Sequence, residues 1–581
     1  MSNLFNFIQN DFPMGPIECF VYLHRLVFKE IGGLKNKLRS PPWKKSKIVE
    51  IEQGLIQGRR YKLGKEFVDA YMGIPFGKAP VGELRYQLSF FKPLPAEPWK
   101  EVRNCTEFGP RCPQFELIFE KYPSIAEKSE DCLRLNVFAP SWDPASCGQV
   151  SSILKFYYLF EIINALCCKD VIVVTIQYRL GFYGFSCGEG ITPNCGLWDQ
   201  TLALKWVHQN IHAFNGDPTN ITIFGQSAGA ASADFLCLSP HSRNLFQRVI
   251  TMGGSALCSF AQNDIEHVYT VCMDFAKFRG YNPSSGQPLV DFLRQLPASS
   301  LELGLTGKRV NKFGEIDLTP VYDGDFFPRP FDELRKEVPP KCFLSGITEH
   351  EGLLFVGARP NRKTPLHIEV EAAIERELQF HKVNNIDCVK KKLLQMYWRE
   401  MEKYNKEKLE RTCIKIVSDI YINNGVWLHT DTMTKLGHTV YQYCFKYFNP
   451  NGFGLLALLL PYKGATHGTG LPFIFKKGIV SNFYPNEDDL KMVETMTMYF
   501  TNFAKYGNPN GVSDDVPELW KPLIPENTLV YMSIDLNEIE MREFINDGRS
   551  LFWKELINAD AANIALNCID CKLVNTKDKF I

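Results

Sequence analysis

The sequence predicts an α/β protein, a central, mostly parallel twisted sheet flanked by helices, and three stretches predict it. Val171–Ile176 is an unbroken run rich in β-branched residues, the pattern of a central parallel strand covered on both faces. Ala203, Trp206, Val207 and Ile211 recur at helical spacing, so the helix they define lays an apolar stripe on that sheet and supplies a crossover. Residues 221–236 then read as a short buried strand, a tight turn and a helix of small residues.

That third stretch is the centre of the reading. Gly225-Gln226-Ser227-Ala228-Gly229 is a G-x-S-x-G pentapeptide. A serine at the tip of a strained strand-to-helix turn stands exposed above the sheet, and Gly225 and Gly229 are expected to let neighbouring backbones approach closely. The following helix N-terminus adds a positive dipole end, and the Ala228 N–H is a candidate oxyanion donor. A bare G-x-S-x-G also occurs in ordinary turns. The strand and helix on either side make Ser227 a candidate nucleophile.

Taken in order, residues 1–47 read as an N-terminal appendage, a short amphipathic helix followed by a basic linker with Pro41-Pro42. Residues 48–556 form the main domain and 557–581 a tail. Forty-five per cent apolar and 22% charged residues suit a folded core, and a formal net charge of zero gives no reason to expect nucleic acid. No apolar run reaches the ~18 residues of a transmembrane helix. The start has no basic region followed by an apolar core, so no leader is expected, which favours the cytoplasm. Eighteen cysteines are about three per cent of this chain and do not make a small disulfide scaffold. Cys568 and Cys571 form a lone C-x-x-C without a second ligand pair, and no metal site is expected.

Beyond the pentapeptide, ordered motifs run from about residue 50 to 555. They include 71–86 (Tyr-Met-Gly-Ile-Pro-Phe-Gly-Lys-Ala-Pro-Val-Gly-Glu-Leu-Arg-Tyr), Cys112-Pro113-Gln114, Ser129-Glu130-Asp131-Cys132, the Gln177-Tyr178-Arg179-Leu180-Gly181 end of 171–184, Gly196-Leu197-Trp198-Asp199-Gln200 and Asn502-Phe503-Ala504-Lys505-Tyr506-Gly507-Asn508-Pro509. Together they resemble the type-B carboxylesterase and cholinesterase family, and so imply the alpha/beta hydrolase fold. The resemblance implies a carboxylic ester hydrolase that acts on a small-molecule ester through an acyl-enzyme, without a cofactor. It also brings the family's secreted or lumenal habit as the alternative compartment.

A serine needs a histidine base and an acid that orients it, and in this fold they follow in the order serine, acid, histidine. The resemblance places the acid at Glu351, directly before Gly352, with Glu349 a nearby decoy. His367, His381, His429 and His438 read as surface or satisfied core residues. His467, in Gly464-Ala465-Thr466-His467-Gly468-Thr469-Gly470-Leu471, matches the family's histidine loop, although Gly470 stands where that loop usually has an acid. The resemblance further implies a Cys112–Cys132 disulfide, two free thiols being the alternative, and an Arg85–Glu130 ion pair. Choline-ester hydrolases carry a tryptophan where counting back from Cys132 gives Tyr122, which favours a general carboxylesterase. Two N-x-T sequons begin at Asn104 and Asn220, the second expected to be buried.

One departure stands out. In 141–169, where the family has a strand ending in His-Gly-Gly-Gly, Gly148 is the only glycine. Two adjacent glycine donors for an oxyanion are therefore missing, and the strand or loop of this interval is expected to be damaged or lost. A substitute amide from Gly148 or its neighbours stays open at this point. The alternatives to an esterase, impaired or not, are a catalytically silent binding protein on the same scaffold and a defective splice or gene-model product. The intact Ser227, Glu351 and His467 favour the esterase.

Overall fold

The computed structural model describes residues 42–82, 84–85, 89–114, 127–142, 148–152, 159–302, 316–359, 363–398, 405–478, 483–512 and 519–562. The expected N-terminal amphipathic helix, Tyr122 and the Cys568/Cys571 pair lie outside these residues.

The described strands form one 13-stranded sheet. They are β1 (Trp43–Ile51), β2 (Gly54–Leu63), β3 (Glu66–Pro75), β4 (Arg103–Asn104), β5 (Arg134–Pro140), β6 (Gly148–Ser152), β7 (Val171–Ile176), β8 (Ile221–Gln226), β9 (Arg248–Met252), β10 (Cys342–Thr348), β11 (Thr439–Phe445), β12 (Tyr531–Ile534) and β13 (Ile539–Arg542). The spatial order is β1-β2-β3-β5-β7-β6-β8-β9-β10-β11-β12-β13, with β4 on β2. Pairing is antiparallel from β1 to β7 along this path and again at β12–β13, and parallel from β7 through β6, β8, β9, β10 and β11 to β12. Parallel strands need crossovers, so helices cover both faces.

Alternation along the strands divides the core. In β7, Ile172, Val174 and Ile176 face one layer and Val171 and Val173 the other. The first layer holds α2 (Cys195–Asn210), through Leu197, Ala203, Trp206 and Val207, and α3 (Ala228–Leu238), through Phe235 and Leu236. The second holds α1 (Leu159–Ala165) and α6 (Glu487–Tyr506), which brings Met492, Met496, Tyr499, Phe500 and Phe503 to the sheet. Helix α6 has a capping box between Asn486 and Asp489, and Gly507 ends it at φ 72°.

Two expectations take a definite form. The strand expected to be damaged or lost between 141 and 169 is present as the five-residue β6, parallel to both β7 and β8. Strand β1 starts inside the segment read as a linker, because Ser46 turns inward and accepts the Gly58 N–H at 2.8 Å while the lysines around it stay exposed. The lysine-rich helical stretch after Asp387 also packs against the domain. Its second helix, α5 (Lys406–Ser418), buries Cys413, Ile414, Ile416 and Val417 against α4 (Gly352–Gly357), the helix that follows β10.

Candidate active site

Ser227 sits between β8 and α3 with φ 57° and ψ −125°, a conformation few non-glycine residues adopt. Its N–H donates to Met252 O at 2.8 Å, which ties the elbow to the end of β9. The tightness falls on one glycine only. A Cβ on Gly225 would lie 2.1 Å from Gly229 O, whereas a Cβ on Gly229 would meet nothing within 4 Å. The expectation that both glycines are needed for close approach is corrected accordingly: Gly229 contributes its backbone, and Gly225 has to make room for it. Ala228 opens α3, where the first N–H groups have no intrahelical acceptor.

Strand β10 ends at Thr348, and the chain turns so that the Thr348 N–H donates to Glu351 Oε1 at 2.7 Å. Glu351 is 1% exposed. Its other oxygen, Oε2, is 2.6 Å from Nδ1 of His467. The turn works because of Gly352, whose Cβ would lie 2.6 Å from Ile414 O, and whose N–H donates to the Ser418 hydroxyl at 2.8 Å. Glu349 points elsewhere, with its carboxylate 3.6 Å from His350 and 43% exposed.

The histidine loop is braced from both sides. Thr469 Oγ1 donates to Thr466 O at 2.7 Å and accepts the Thr466 N–H at 3.0 Å, while Thr466 Oγ1 reaches Glu351 O at 3.2 Å. The Phe355 ring lies against the His467 imidazole at 4.9 Å. Nε2 of His467 is 3.1 Å from Nε2 of Gln226, the residue before Ser227.

The remaining candidate histidines are elsewhere. His429 is fully buried, with Nδ1 3.2 Å from Asp234 Oδ2, and Arg335 donates to the other oxygen of that carboxylate at 2.8 Å. Burial alone would raise the Asp234 carboxyl, but Arg335 and His429 outweigh it and hold it well below the usual carboxylate range. Nδ1 of His438 accepts the Lys341 N–H at 3.3 Å, and burial, assisted by His429 and Lys341, lowers its pKa to about 4. His381 is 3.3 Å from Glu377, and His367 is half-buried on the helix Leu366–Phe380.

Cys112 and Cys132 form a disulfide. Arg85 and Glu130 are in contact, Nε to Oε2 2.9 Å, and Arg85 also donates to Leu296 O at 2.9 Å and to Arg294 O. Asn104 is exposed on β4; Asn220 is half-buried and its amide donates to Lys505 O at 3.2 Å. Gly148 opens β6 opposite Val171, at the end of the strand away from Ser227. With ~3.3 Å per strand residue it is too far to serve as the substitute oxyanion donor. Ser152, at the other end, pairs with Phe224, three residues before the nucleophile.

Two features escaped the sequence reading. Gly253, at φ 55° after β9, lies under the acid and base: a Cβ there would be 3.1 Å from Glu351 Oε1 and 3.2 Å from His467 Nδ1. Arg179 and Asp199 form a buried pair, Nη2 to Oδ1 2.7 Å and Nε to Oδ2 2.8 Å, which joins the end of β7 to α2. Both motifs were visible in the sequence; the contact between them was not.

The profile described as "Carboxylesterase family" matches residues 45–553. The chain belongs to the carboxylesterase family. Among relatives of this carboxylesterase-family chain, Esterase cest-33 of Caenorhabditis elegans is 35% identical over 544 residues, covering 90% of this chain and 96% of its own length. Carboxylesterase 5A of Homo sapiens is 30% identical and covers 87% and 88%. Neuroligin-3 of Mus musculus is 28% identical over 91% of this chain and 71% of its own. The family and its esterase-named members make carboxylic ester hydrolysis the activity class of the chain. Among the described residues, no helix is long and apolar enough to cross a membrane.

Proposed function

We propose that the chain hydrolyses carboxylic esters through a triad of Ser227, His467 and Glu351. The observation that carries the reading is the 2.6 Å contact between buried Glu351 and Nδ1 of His467, beside the strained elbow that presents Ser227. The carboxylate accepts, so the proton sits on Nδ1 and Nε2 is left as the base. Ser227 Oγ attacks the ester carbonyl carbon as Nε2 takes its proton. The tetrahedral oxyanion is met by the Ala228 N–H. Collapse breaks the bond to the alcohol, which leaves with the proton from His467, and water repeats the sequence to release the acid. The residues supply every proton transfer, and no cofactor enters the scheme.

The test is labelling with a fluorophosphonate and mass-spectrometric mapping of the adduct. Ser227 is expected to carry it; a label elsewhere, or none, overturns the assignment. A silent binding protein is the second reading, motivated by the neuroligin relative and by the missing His-Gly-Gly-Gly. An unlabelled Ser227 in a folded chain would favour it.

A further inference from the structure

We propose that Gln226 occupies the proton-accepting nitrogen of His467 in the resting site, and that Ser227 becomes reactive only when this carboxamide lets go. The inference rests on the reading of Ser227, His467 and Glu351 as a triad.

Gln226 is the last residue of β8, and its Nε2 is 3.1 Å from Nε2 of His467. Nδ1 of the same ring faces the Glu351 carboxylate at 2.6 Å and so carries the ring proton. A neutral imidazole then has one in-plane lone pair left, on Nε2, and the amide N–H of Gln226 donates to it. That lone pair is the one the Ser227 hydroxyl needs. Among the described residues, the Ser227 hydroxyl has no hydrogen-bond partner. Two donors therefore compete for one acceptor, and in this state the carboxamide holds it.

Gln226 lines a small cavity with Thr348, Glu351 and Gly470, and the Thr348 hydroxyl there is buried without a partner among the described residues. Gly470 brings no side chain into that space. Protonation of His467 during the reaction also turns Nε2 into a donor, which an amide N–H group repels. Gln226 is thus a positioning residue, acting on Ser227 through His467.

Two variants test this through the rate of fluorophosphonate labelling at Ser227 across pH. Gln226→Ala frees Nε2, and labelling is expected to rise about 2- to 10-fold, the net worth of one hydrogen bond. Gln226→Glu keeps the shape but puts a carboxylate against Nε2, which favours the protonated ring. Its labelling should drop at neutral pH and recover at higher pH, moving the acidic limb of the profile upward. Wild-type or slower labelling in a folded Gln226→Ala overturns the proposal, as does an unmoved limb in Gln226→Glu; if the alanine variant does not fold, the glutamate variant decides alone. Absence of label at Ser227 in the wild-type chain would instead defeat the triad reading, and the inference with it.

Discussion

Ser227 holds an uncommon backbone conformation, and its neighbours divide into those that have to be small and those that do not. Gly225→Ala drives a Cβ to 2.1 Å from Gly229 O, so it should destabilise by roughly 1–3 kcal/mol or more, the range of overpacked sites. Gly229→Ala meets nothing within 4 Å and lies in the first turn of α3, so it should be neutral or stabilising by up to about 1 kcal/mol through helix propensity. Urea melts of the two variants check this, and equal losses would contradict it. The two glutamates separate in the same way. Glu351→Gln weakens the partner of Nδ1 and should lower ester turnover by orders of magnitude, while Glu349→Gln, at an exposed carboxylate beside His350, should change it little. Steady-state hydrolysis of a short-chain aryl ester distinguishes them. Ser227 could be singled out from its own strand, turn and helix pattern, whereas Glu351 and His467 were indicated by the resemblance of their loops to those of the family, and the structure brings these two side chains into contact. Gly253 was not legible in the sequence, because nothing local to Met252-Gly253-Gly254 says that the end of β9 passes beneath Glu351 and His467.

At the scale of elements, the strands and helices that follow simple periodicity were readable. The unbroken run of β7 and the stripe on α2 lie where their patterns place them, since burial on two faces or on one is written directly in residue order. Helix α5 was less so: its charged first half suggests solvent, and only the approach of α4 through Gly352 explains the burial of its second half. The junction of β10, β11 and the helix Asn424–Lys435 predicts a pH dependence. His438 has a folded pKa of about 4, below its ordinary 6.5. Above 6.5 both folded and unfolded forms are neutral there. Between 6.5 and 4 the unfolded chain binds the proton first, so stability falls as pH falls, by up to about 2 kcal/mol at pH 5 from this residue. His438→Gln, which keeps an acceptor for the Lys341 N–H, should reduce the difference between urea melts at pH 7 and pH 5. An unchanged difference would remove His438 as a source. The Cys112–Cys132 bridge, closing a separation of 20 residues, should contribute about 3 kcal/mol by the chain-entropy argument, and Cys112→Ser melting under non-reducing conditions measures it.

For the whole molecule, the decisive feature is a sheet that keeps its order although the sequence that follows β6 lacks His-Gly-Gly-Gly. Strand β6 fills the place between β7 and β8, so the scaffold that aims Ser227, Glu351 and His467 does not depend on the motif that is missing. The chain leaves β6 after Ser152, next to Phe224, and continues Ile153-Leu154-Lys155-Phe156-Tyr157-Tyr158, with no glycine in the position of His-Gly-Gly-Gly. Gly148 lies at the opposite end of the strand and cannot substitute. Among the described residues, the Ala228 N–H is the donor that the proposed mechanism offers the oxyanion. Losing a single oxyanion donor costs about 100- to 1000-fold in rate, so the chain as it stands should turn over simple esters slowly while keeping an intact nucleophile and base. The measurement is hydrolysis of a short-chain aryl ester by the wild-type chain, by Ser227→Ala, and by a chain carrying a His-Gly-Gly-Gly loop after β6. A large gain on restoration, with wild type still above Ser227→Ala, is the expected result. Equal rates for the wild-type and restored chains would mean that other donors already complete the oxyanion hole, and the proposed deficit would be wrong.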